Sequence, residues 1–332
     1  MVKVAVVGAS GYAGAQLCRI ISRHEKLELT GLFVSENSLD KGKNISELYG
    51  ELNGVCDKVL QPLTGAKDII DIADAVFLAT DHKVSHDIAP ALVEAGVAVF
   101  DLSGAFRISN TDVFEKAYGF AHEHKDLLKK AVYALAEYVD VKALQNTQMI
   151  SLPGCYPTAS QLALKPLIEN GLLDLNYRPS INAVSGVSGA GRKAKLTNSF
   201  CEVSLNAYGV FTHRQPEIAE HLGTEVIFTP HLGDFKRGIH ATINAKLKDG
   251  VTPEQVAKAY SYYDNKPLVR VKKGMPKLQD VQYLPFCDIG YAMKDNYIVI
   301  CSCIDNLLKG ASAQAVQVLN LYYGFDETQG LI

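Results

Sequence analysis

The start of the chain constrains the fold more than any other feature, because a strand-like segment leads through a glycine-rich turn into a helix-like one. Residues 2–7 (Val-Lys-Val-Ala-Val-Val) are typical of a strand, residues 8–14 (Gly-Ala-Ser-Gly-Tyr-Ala-Gly) have glycine at every third position, and helical periodicity runs from Ala13 to His24. Glycine permits a tight turn whose backbone N–H groups approach a pyrophosphate at the helix N-terminus. The alternative is a tight turn without a ligand, but this placement favours dinucleotide binding.

Strands and helices alternate through the first half of the chain. Further strands are predicted at residues 27–34, 75–79 and 97–102, and a helix at 88–95 is closed by Gly96. Alternation of this kind implies βαβ crossovers, and therefore an α/β fold with a doubly wound parallel sheet.

The pattern changes from about residue 180, where connections lengthen and fewer helices are predicted. The strand-like segments there are 181–187, 224–229, 239–247 and 297–304. They favour a second, α+β domain with a mostly antiparallel sheet. The last periodic stretch, 307–323, predicts a helix that ends at Gly324, and we expect it to pack on the first domain.

Length and composition bound the protein class. The 332 residues are 48% hydrophobic and carry a formal net charge of −3, which suggests two packed domains and argues against a nucleic-acid or membrane-surface binder. The chain enters a strand at once and has no apolar run near the ~20 residues that span a bilayer, so we expect a cytoplasmic protein. Its seven cysteines include no C-x-x-C pair. This favours a reducing compartment and argues against a metal site and against a disulfide framework.

The end of the second predicted strand bears on the choice of dinucleotide. An acidic side chain there usually contacts the ribose 2′-OH of NAD. This chain has Ser35 and Glu36, followed by Lys41 and Lys43. Ser35 with a nearby lysine would accept a 2′-phosphate, whereas Glu36 argues for NAD, and the balance favours NADP.

Cys155 differs from the other cysteines because it precedes a predicted helix. Residues 152–158 (Leu-Pro-Gly-Cys-Tyr-Pro-Thr) lead into an apolar-periodic stretch that ends at Gly171, and Pro157 suits a first helical turn. A helix N-terminus stabilises a thiolate, whereas the other six cysteines lie in apolar runs or lack such a setting. Pro166 within the predicted helix implies a kink or an early end.

A thiolate beside a nicotinamide site suggests acyl chemistry. The sulfur takes an acyl group from an acyl phosphate, and hydride then reduces the thioester to an aldehyde. This cycle needs a proton shuttle, for which histidine is suited near neutral pH. His213 is the candidate, with Glu217 close enough in sequence to orient it, although position alone does not single it out among nine histidines.

Three further segments have the character of ligand contacts. Residues 185–193 are glycine-rich and follow a strand, so their backbone can lie close to a flat ring. Arg107, at the end of residues 101–107, follows the carboxyl end of a strand and suits a phosphate or carboxylate. Lys236 and Arg237 form another candidate anion contact. Any of these segments could instead be an ordinary loop.

Taken together, these motifs resemble the N-acetyl-gamma-glutamyl-phosphate reductase family. The cysteine segment, residues 150–166, matches the family signature, and Pro166 belongs to that signature. The resemblance covers essentially the whole chain, with further matches at 8–14, 101–107, 185–194, 228–232 and 305–311.

The resemblance implies NADPH-dependent reduction of N-acetyl-L-glutamyl 5-phosphate to N-acetyl-L-glutamate 5-semialdehyde, with release of phosphate, in arginine biosynthesis. It implies a Rossmann-type domain, 1–154 plus 307–332, completed by the C-terminal helix. It also implies a catalytic domain, 155–306, that is similar to the C-terminal domain of glyceraldehyde-phosphate dehydrogenase and assembles a homodimer or homotetramer.

Site residues follow from the matched motifs together with the residue-level arguments above. The resemblance makes Cys155 the nucleophile, and with it we assign His213 and Glu217 to catalysis. The residues expected to bind NADP are Gly8, Ser10, Gly11, Tyr12, Gly14, Ser35, Ser188, Gly189 and Asn306. Those expected to bind the substrate are Ser103, Arg107, Lys236 and Arg237.

The histidine segment departs from the family pattern, which commonly reads His-Arg-His, one further residue, then Pro-Glu-Ile. Here residues 213–218 read His-Arg-Gln-Pro-Glu-Ile, so one histidine is absent and the segment is a residue short. Either His213 serves as the acid and base, or the shorter segment weakens catalysis.

Three alternatives stay open. The nearest is an aspartate-semialdehyde dehydrogenase, which performs the same chemistry on a shorter substrate but commonly has Asn where this chain has Gly154. A non-catalytic NADP-binding regulator would give Cys155 no role, and a Cys-His hydrolase would not need the dinucleotide turn.

Overall fold

The computed structural model describes residues 1–211 and 214–332 and divides the chain into two compact units. The first unit comprises Met1–Gly154 and Ala311–Ile332, and the second comprises Cys155–Gly310. The described residues build two seven-stranded sheets.

The bounds of the elements are as follows. The strands of the first sheet are β1 Val2–Val7, β2 Leu27–Ser35, β3 Leu60–Leu63, β4 Ala75–Leu78, β5 Ala98–Asp101, β6 Val132–Tyr133 and β7 Met149–Ser151. Those of the second are β8 Ser180–Ser185, β9 Asn206–Ala207, β10 Ile227–Leu232, β11 Ile239–Lys246, β12 Val269–Val271, β13 Cys287–Lys294 and β14 Tyr297–Ile304. The α-helices are α1 Tyr12–Ile21, α2 Ile45–Leu48, α3 Lys67–Ile70, α4 His82–Glu94, α5 Thr111–Tyr118, α6 Lys125–Lys130, α7 Val141–Gln145, α8 Cys155–Glu169, α9 Arg214–Leu222, α10 Pro253–Tyr260 and α11 Ala313–Tyr323. Single 3₁₀ turns lie at Gly50–Leu52, Val187–Ala190, Leu196–Asn198, Ser261–Asn265 and Leu278–Asp280, and a π-helical turn at Leu308–Ser312.

The first sheet is parallel throughout, in the order β3-β2-β1-β4-β5-β7-β6. All residues of β4 and β5 are buried, as expected for strands covered by helices on both faces. The predicted doubly wound α/β fold is therefore confirmed. The order reverses between β1 and β4, and ligands of such sheets bind at the carboxyl ends of the strands at this point.

Two local predictions in this unit are inaccurate. Helix α4 begins at His82, six residues before the predicted start at residue 88, because its first turns are mostly polar and hide the apolar periodicity. Strands β3, β6 and β7 have between two and four residues each, which is too short to produce a recognisable alternation in the sequence.

The C-terminal helix α11 contacts α1 and α7 within the first unit. The His24 ring nitrogen Nε2 lies 3.0 Å from Asn320 Oδ1, and Ser312 Oγ donates to the Ala13 carbonyl at 2.8 Å. The helix ends at Gly324, which has φ +70°, as predicted. It begins at Ala313 and not at residue 307, since a π-helical turn precedes it.

The second sheet is mixed, in the order β12-β13-β14-β11-β8-β10-β9. Among the described strands of this sheet, only β12–β13 and β8–β10 form parallel pairs, which agrees with the mostly antiparallel α+β domain predicted. Helix α8 packs on β11, β13 and β14, with 11 of its 15 residues buried. Strands β9, β12 and β13 of this sheet were not predicted.

Pro166 does not end helix α8, which continues to Glu169. The proline lacks the N–H that would bond to the Leu162 carbonyl, and the Tyr263 hydroxyl donates to that carbonyl instead, at 2.5 Å. Tyr260 donates to the next carbonyl, Ala163, at 2.7 Å. The predicted early end is wrong because a distant tyrosine, Tyr263, replaces the missing donor.

None of the helices within the described ranges combines the length and the apolar character needed to cross a bilayer.

Candidate active site

The glycine turn lies where the strand order of the first sheet reverses. Gly8 follows β1 with φ +80°, and a Cβ there would lie 2.2 Å from the Ala79 carbonyl oxygen at the end of β4. A Cβ at Gly14 would lie 2.3 Å from the Gly8 oxygen. Side chains are therefore excluded from a backbone cradle beside the N-terminus of α1, whose first N–H groups lack intrahelical partners. This cradle fits the pyrophosphate of a dinucleotide.

The remaining predicted cofactor residues of this unit lie around the same turn. Ser10 belongs to the turn, Gly11 caps α1 and Tyr12 begins it. Sequence reasoning missed Tyr49, whose hydroxyl donates to the Ser10 carbonyl at 2.9 Å and fixes the turn from a distant segment. No local signal marks this residue, since 39 positions separate the partners.

Ser35 is the exposed last residue of β2. The chain then turns back on itself, since Lys41 Nζ donates to the Glu36 carbonyl at 2.9 Å. Lys43 instead pairs with Asp40 at 3.5 Å. Of the two lysines, Lys41 therefore lies beside the end of β2.

Arg107 and Ser103 are tied into the carboxyl ends of β5 and β7. Arg107 Nε donates to the Leu152 carbonyl at 2.7 Å and Nη2 to the Leu102 carbonyl at 2.6 Å. Ser103 Oγ donates to Asp101 at 2.9 Å, and burial raises the pKa of that aspartate. Arg107 thus braces the chain three residues before Cys155, in addition to any ligand contact.

Cys155 is the first residue of α8 and lines a cavity of about 510 Å³ within the second unit. Further lining residues come from the carboxyl ends of β8 and β10, from the turn after β8 and from the start of α9. The lining residues are Cys155, Tyr156, Ser185, Gly186, Gly189, Ala190, Lys195, Glu202, Asn206, Tyr208, Arg214 and Leu232. A Cβ at Gly310 would lie 2.8 Å from Cys155 Cβ, so glycine is required behind this cysteine.

The other cysteines have different surroundings. Cys18, Cys56, Cys287, Cys301 and Cys303 are buried, and Cys201 is exposed. Burial raises the pKa of the Cys18, Cys301 and Cys303 thiols, which keeps them protonated at neutral pH. Among the seven, Cys155 alone joins partial exposure to a helix N-terminus.

Ser188, Gly189 and Asn306 come together in the second unit. Asn306 accepts the Gly238 N–H at 2.7 Å and donates to Ser188 Oγ at 3.0 Å. The Ser188 N–H donates to the Lys236 carbonyl at 3.0 Å. The loop that borders the cavity is thereby fixed to two segments distant in sequence.

Arg237 is buried and bound to the fully buried Asp305. Its Nε donates to Asp305 Oδ2 at 2.6 Å, and its guanidinium lies 4.8 Å from the centroid of the Tyr283 ring. Nη2 is buried and has no hydrogen-bond partner among the described residues. Lys236 is exposed, and neither residue lines the cavity that contains Cys155.

His213 lies outside the described residues, so its distance from Cys155 is not part of the site's geometry. Glu217 lies in the first turn of α9 and is fully buried.

Arg214 and two tyrosines are cavity residues that sequence reasoning missed. The Arg214 guanidinium lies 5.6 Å from the Tyr156 ring centroid and 5.7 Å from that of Tyr208. More than fifty positions separate Tyr156 from the other two. Arg214 belongs to the quoted histidine segment, but nothing in the segment shows what it faces.

One group in the first unit has the composition of a metal site, namely His86, Asp87 and His124. The Glu123 N–H donates to His86 Nε2 at 3.1 Å, which leaves the ring proton on Nδ1, 2.8 Å from Asp87 Oδ1. Lys83 also bonds to Asp87, at 2.5 Å. A metal would have to displace the proton and the lysine, so these contacts account for the group without a metal.

Comparison with known proteins gives a consistent assignment. The model of the semialdehyde dehydrogenase NAD binding domain matches residues 3–146, and that of the semialdehyde dehydrogenase dimerisation domain matches 155–306. The N-acetyl-gamma-glutamyl-phosphate reductases of Pasteurella multocida and Escherichia coli are 57% and 56% identical to this chain, and each alignment covers 100% of both proteins. Aspartate semialdehyde dehydrogenase II of Vibrio cholerae has the same fold, with a TM-score of 0.75 at 16% identity over 98% of each chain. The chain belongs to the N-acetyl-gamma-glutamyl-phosphate reductase family of semialdehyde dehydrogenases.

Proposed function

We propose that this chain reduces N-acetyl-L-glutamyl 5-phosphate to N-acetyl-L-glutamate 5-semialdehyde and phosphate with NADPH, in arginine biosynthesis. The observation that carries the proposal is Cys155 at the start of α8, on the wall of a cavity, in a chain 57% identical over its full length to a reductase of that name.

The first half of the reaction belongs to Cys155. Its Sγ bonds to the acyl carbon while the bond from that carbon to the phosphate oxygen breaks, which leaves a thioester and releases phosphate. The N-terminus of α8 stabilises the attacking thiolate. Arg107, through the Leu152 carbonyl, holds the segment that leads into this helix.

NADPH, when bound, supplies the hydride that reduces the thioester. We assign its phosphates to the turn at residues 8–14, because the crowded Cβ positions at Gly8 and Gly14 leave only backbone there. Ser35, with Lys41 beside it, is assigned to the 2′-phosphate. Ser188, Gly189 and Asn306 complete the proposed cofactor contacts.

The second half of the reaction needs a proton donor and groups that hold the substrate. We assign the proton to His213, oriented by Glu217. Arg237 is assigned to a substrate oxygen because its buried Nη2 lacks a partner among the described residues. Ser103, Arg107 and Lys236 are the other proposed substrate contacts.

We also propose a division of labour between the domains. Residues 1–154 with 307–332 would bind NADP, and residues 155–306 would carry the nucleophile and assemble a homodimer or homotetramer in the cytoplasm. The matches to an NAD binding model at 3–146 and a dimerisation model at 155–306 support this division.

An NADPH-oxidation assay with N-acetylglutamyl phosphate tests the function. Cys155→Ala should abolish turnover, His213→Ala should lower it ~10²–10⁴-fold, and Cys201→Ala, which removes an exposed thiol, should leave it unchanged. With NADPH withheld, mass spectrometry should find the acyl group on Cys155. A missing adduct contradicts the mechanism, and faster turnover of aspartyl phosphate contradicts the substrate assignment.

A further inference from the structure

The cavity that contains Cys155 also contains a cation in a fixed orientation. The Arg214 guanidinium lies against the rings of Tyr156 and Tyr208, at 5.6 and 5.7 Å from their centroids. Contact with two aromatic faces restrains a flat guanidinium more than a single ring would. The next residue fixes the backbone, since Gln215 Oε1 accepts the Phe228 N–H of β10 at 3.0 Å.

The two tyrosines are themselves held in place. Tyr156 Oη lies 3.0 Å from the His231 carbonyl and 3.2 Å from Tyr208 Oη. Because Tyr156 has one hydroxyl proton and the carbonyl can only accept, Tyr208 donates to Tyr156. Burial raises the pKa of Tyr156, so the phenol remains neutral at physiological pH. Both hydroxyl protons are thus engaged within the protein, so an anion beside the two rings would bind to the guanidinium and not to the phenols.

The charges that line the cavity leave this cation available. The other charged side chains of the lining, Lys195 and Glu202, are exposed. Within residues 1–211 and 214–332, no aspartate or glutamate forms an ion pair with Arg214. A half-buried arginine without a carboxylate partner favours an anionic ligand.

The proposed substrate supplies a matching anion. Once the Cys155 thiolate has displaced phosphate, the α-carboxylate is the one charge left on the N-acetylglutamyl group. An uncharged acyl chain would leave the arginine without a counter-charge throughout the reduction. A cavity of about 510 Å³ is within the usual size of small-molecule sites.

We propose that Arg214 binds the α-carboxylate of the acyl substrate and so selects N-acylated dicarboxylic acid derivatives. The assignment rests on the proposed function, and it adds a specificity residue to those assigned above. A guanidinium fork matches a carboxylate with two parallel hydrogen bonds, which a lysine cannot reproduce.

The test pairs a change in the protein with a change in the substrate. The analogue 4-acetamidobutyryl phosphate has the same acyl chain and acetamide but lacks the α-carboxylate. Wild type should use it with a kcat/KM ~10–10²-fold lower than that for N-acetylglutamyl phosphate. Arg214→Gln should lose ~10–10²-fold on the natural substrate but less than about threefold on the analogue, because the analogue has no carboxylate to lose.

The controls separate the possible failures. Arg178→Gln removes an exposed arginine of the same unit and should change neither rate. If Arg214→Gln does not fold, Arg214→Lys, which keeps the charge without the fork, should lose about three- to tenfold on the carboxylate substrate alone. Equal losses on both substrates would overturn the assignment while leaving the function intact. No turnover of N-acetylglutamyl phosphate by wild type would overturn the function and this assignment together.

Discussion

Gly310→Ala tests whether the turn after β14 sets the position of the proposed nucleophile. The added Cβ would lie 2.8 Å from Cys155 Cβ and 3.1 Å from Ile304 Cδ1. Ordinary contact begins at 3.4 Å, so the Cys155 contact requires a shift of about 0.6 Å (3.4 − 2.8). The end of Ile304 can rotate away, whereas Cys155 Cβ is attached directly to the backbone of α8.

The expected effect follows from that displacement. A misplacement of 1 Å can cost about 10²-fold in rate, so a shift of roughly half that size should lower kcat about tenfold. Overpacking should also cost about 1–3 kcal/mol of stability. Initial rates of NADPH oxidation measure the first effect. Iodoacetamide labelling, quantified on the Cys155 peptide by mass spectrometry, reports whether the thiol has moved or changed its access to solvent.

Gly274→Ala is the matched control. It adds the same methyl group in the same unit, but nothing lies within 4 Å of the new Cβ. Activity and labelling should therefore stay within about twofold of wild type, as for other exposed changes. The reasoning is refuted if Gly310→Ala retains the kcat of Gly274→Ala together with an unchanged rate of Cys155 labelling.

Three further predictions concern pH, folding and the cofactor. Burial, followed by the neighbouring His86, lowers the pKa of His122 from 6.5 to about 4. As the pH drops from 6.5 to 4, the unfolded state therefore binds a proton at this residue that the folded state does not, and the free energy of unfolding should fall by up to about 3 kcal/mol. Urea unfolding at both pH values measures this fall. Tyr263→Phe leaves the Leu162 carbonyl without its donor and should cost about 1–3 kcal/mol in the same assay. Tyr49→Phe frees the glycine turn and should raise the KM for NADPH about three- to tenfold at unchanged kcat.

Each of these has its own comparison. His122→Asn should flatten the pH dependence of the free energy of unfolding. An unchanged slope would mean that other histidines cause this dependence. Tyr262→Phe alters a neighbouring tyrosine that is 40% exposed and should cost less than about 0.5 kcal/mol. A fall in kcat at saturating NADPH for Tyr49→Phe would show that this hydroxyl does more than position the turn.

The features that could be predicted from the sequence are those encoded over a few consecutive residues. Strand β1, the turn at 8–14 and helix α1 follow one another, so hydrophobic periodicity and glycine spacing suffice to place them. The same is true of Cys155 at the start of α8 and of Gly324 at the end of α11. In both cases the determining contacts lie within one helical turn.

The features that could not be predicted depend on partners far apart in the chain. Pro166 looks like a helix breaker until Tyr263, almost a hundred positions later, is found to donate to the Leu162 carbonyl. Short strands such as β12 exist because a neighbouring strand supplies their hydrogen bonds, and their own sequence has too few residues to alternate. Tertiary contacts override local propensity in each of these cases.

The arginines show why residue type alone does not determine a role at the site. In the sequence, Arg107 follows a predicted strand and Arg237 lies in a candidate loop, and the side chain of each could bind an anion. In the structure, two of the donors of Arg107 brace backbone carbonyls, and Arg237 is paired with the buried carboxylate of Asp305. Arg214 lies in the quoted histidine segment, which gave it no role, yet it lines the cavity of Cys155 and has no carboxylate partner among the described residues. An arginine binds a substrate anion only with donors that the protein itself has not engaged, so the partners of each guanidinium discriminate better than its position in the sequence.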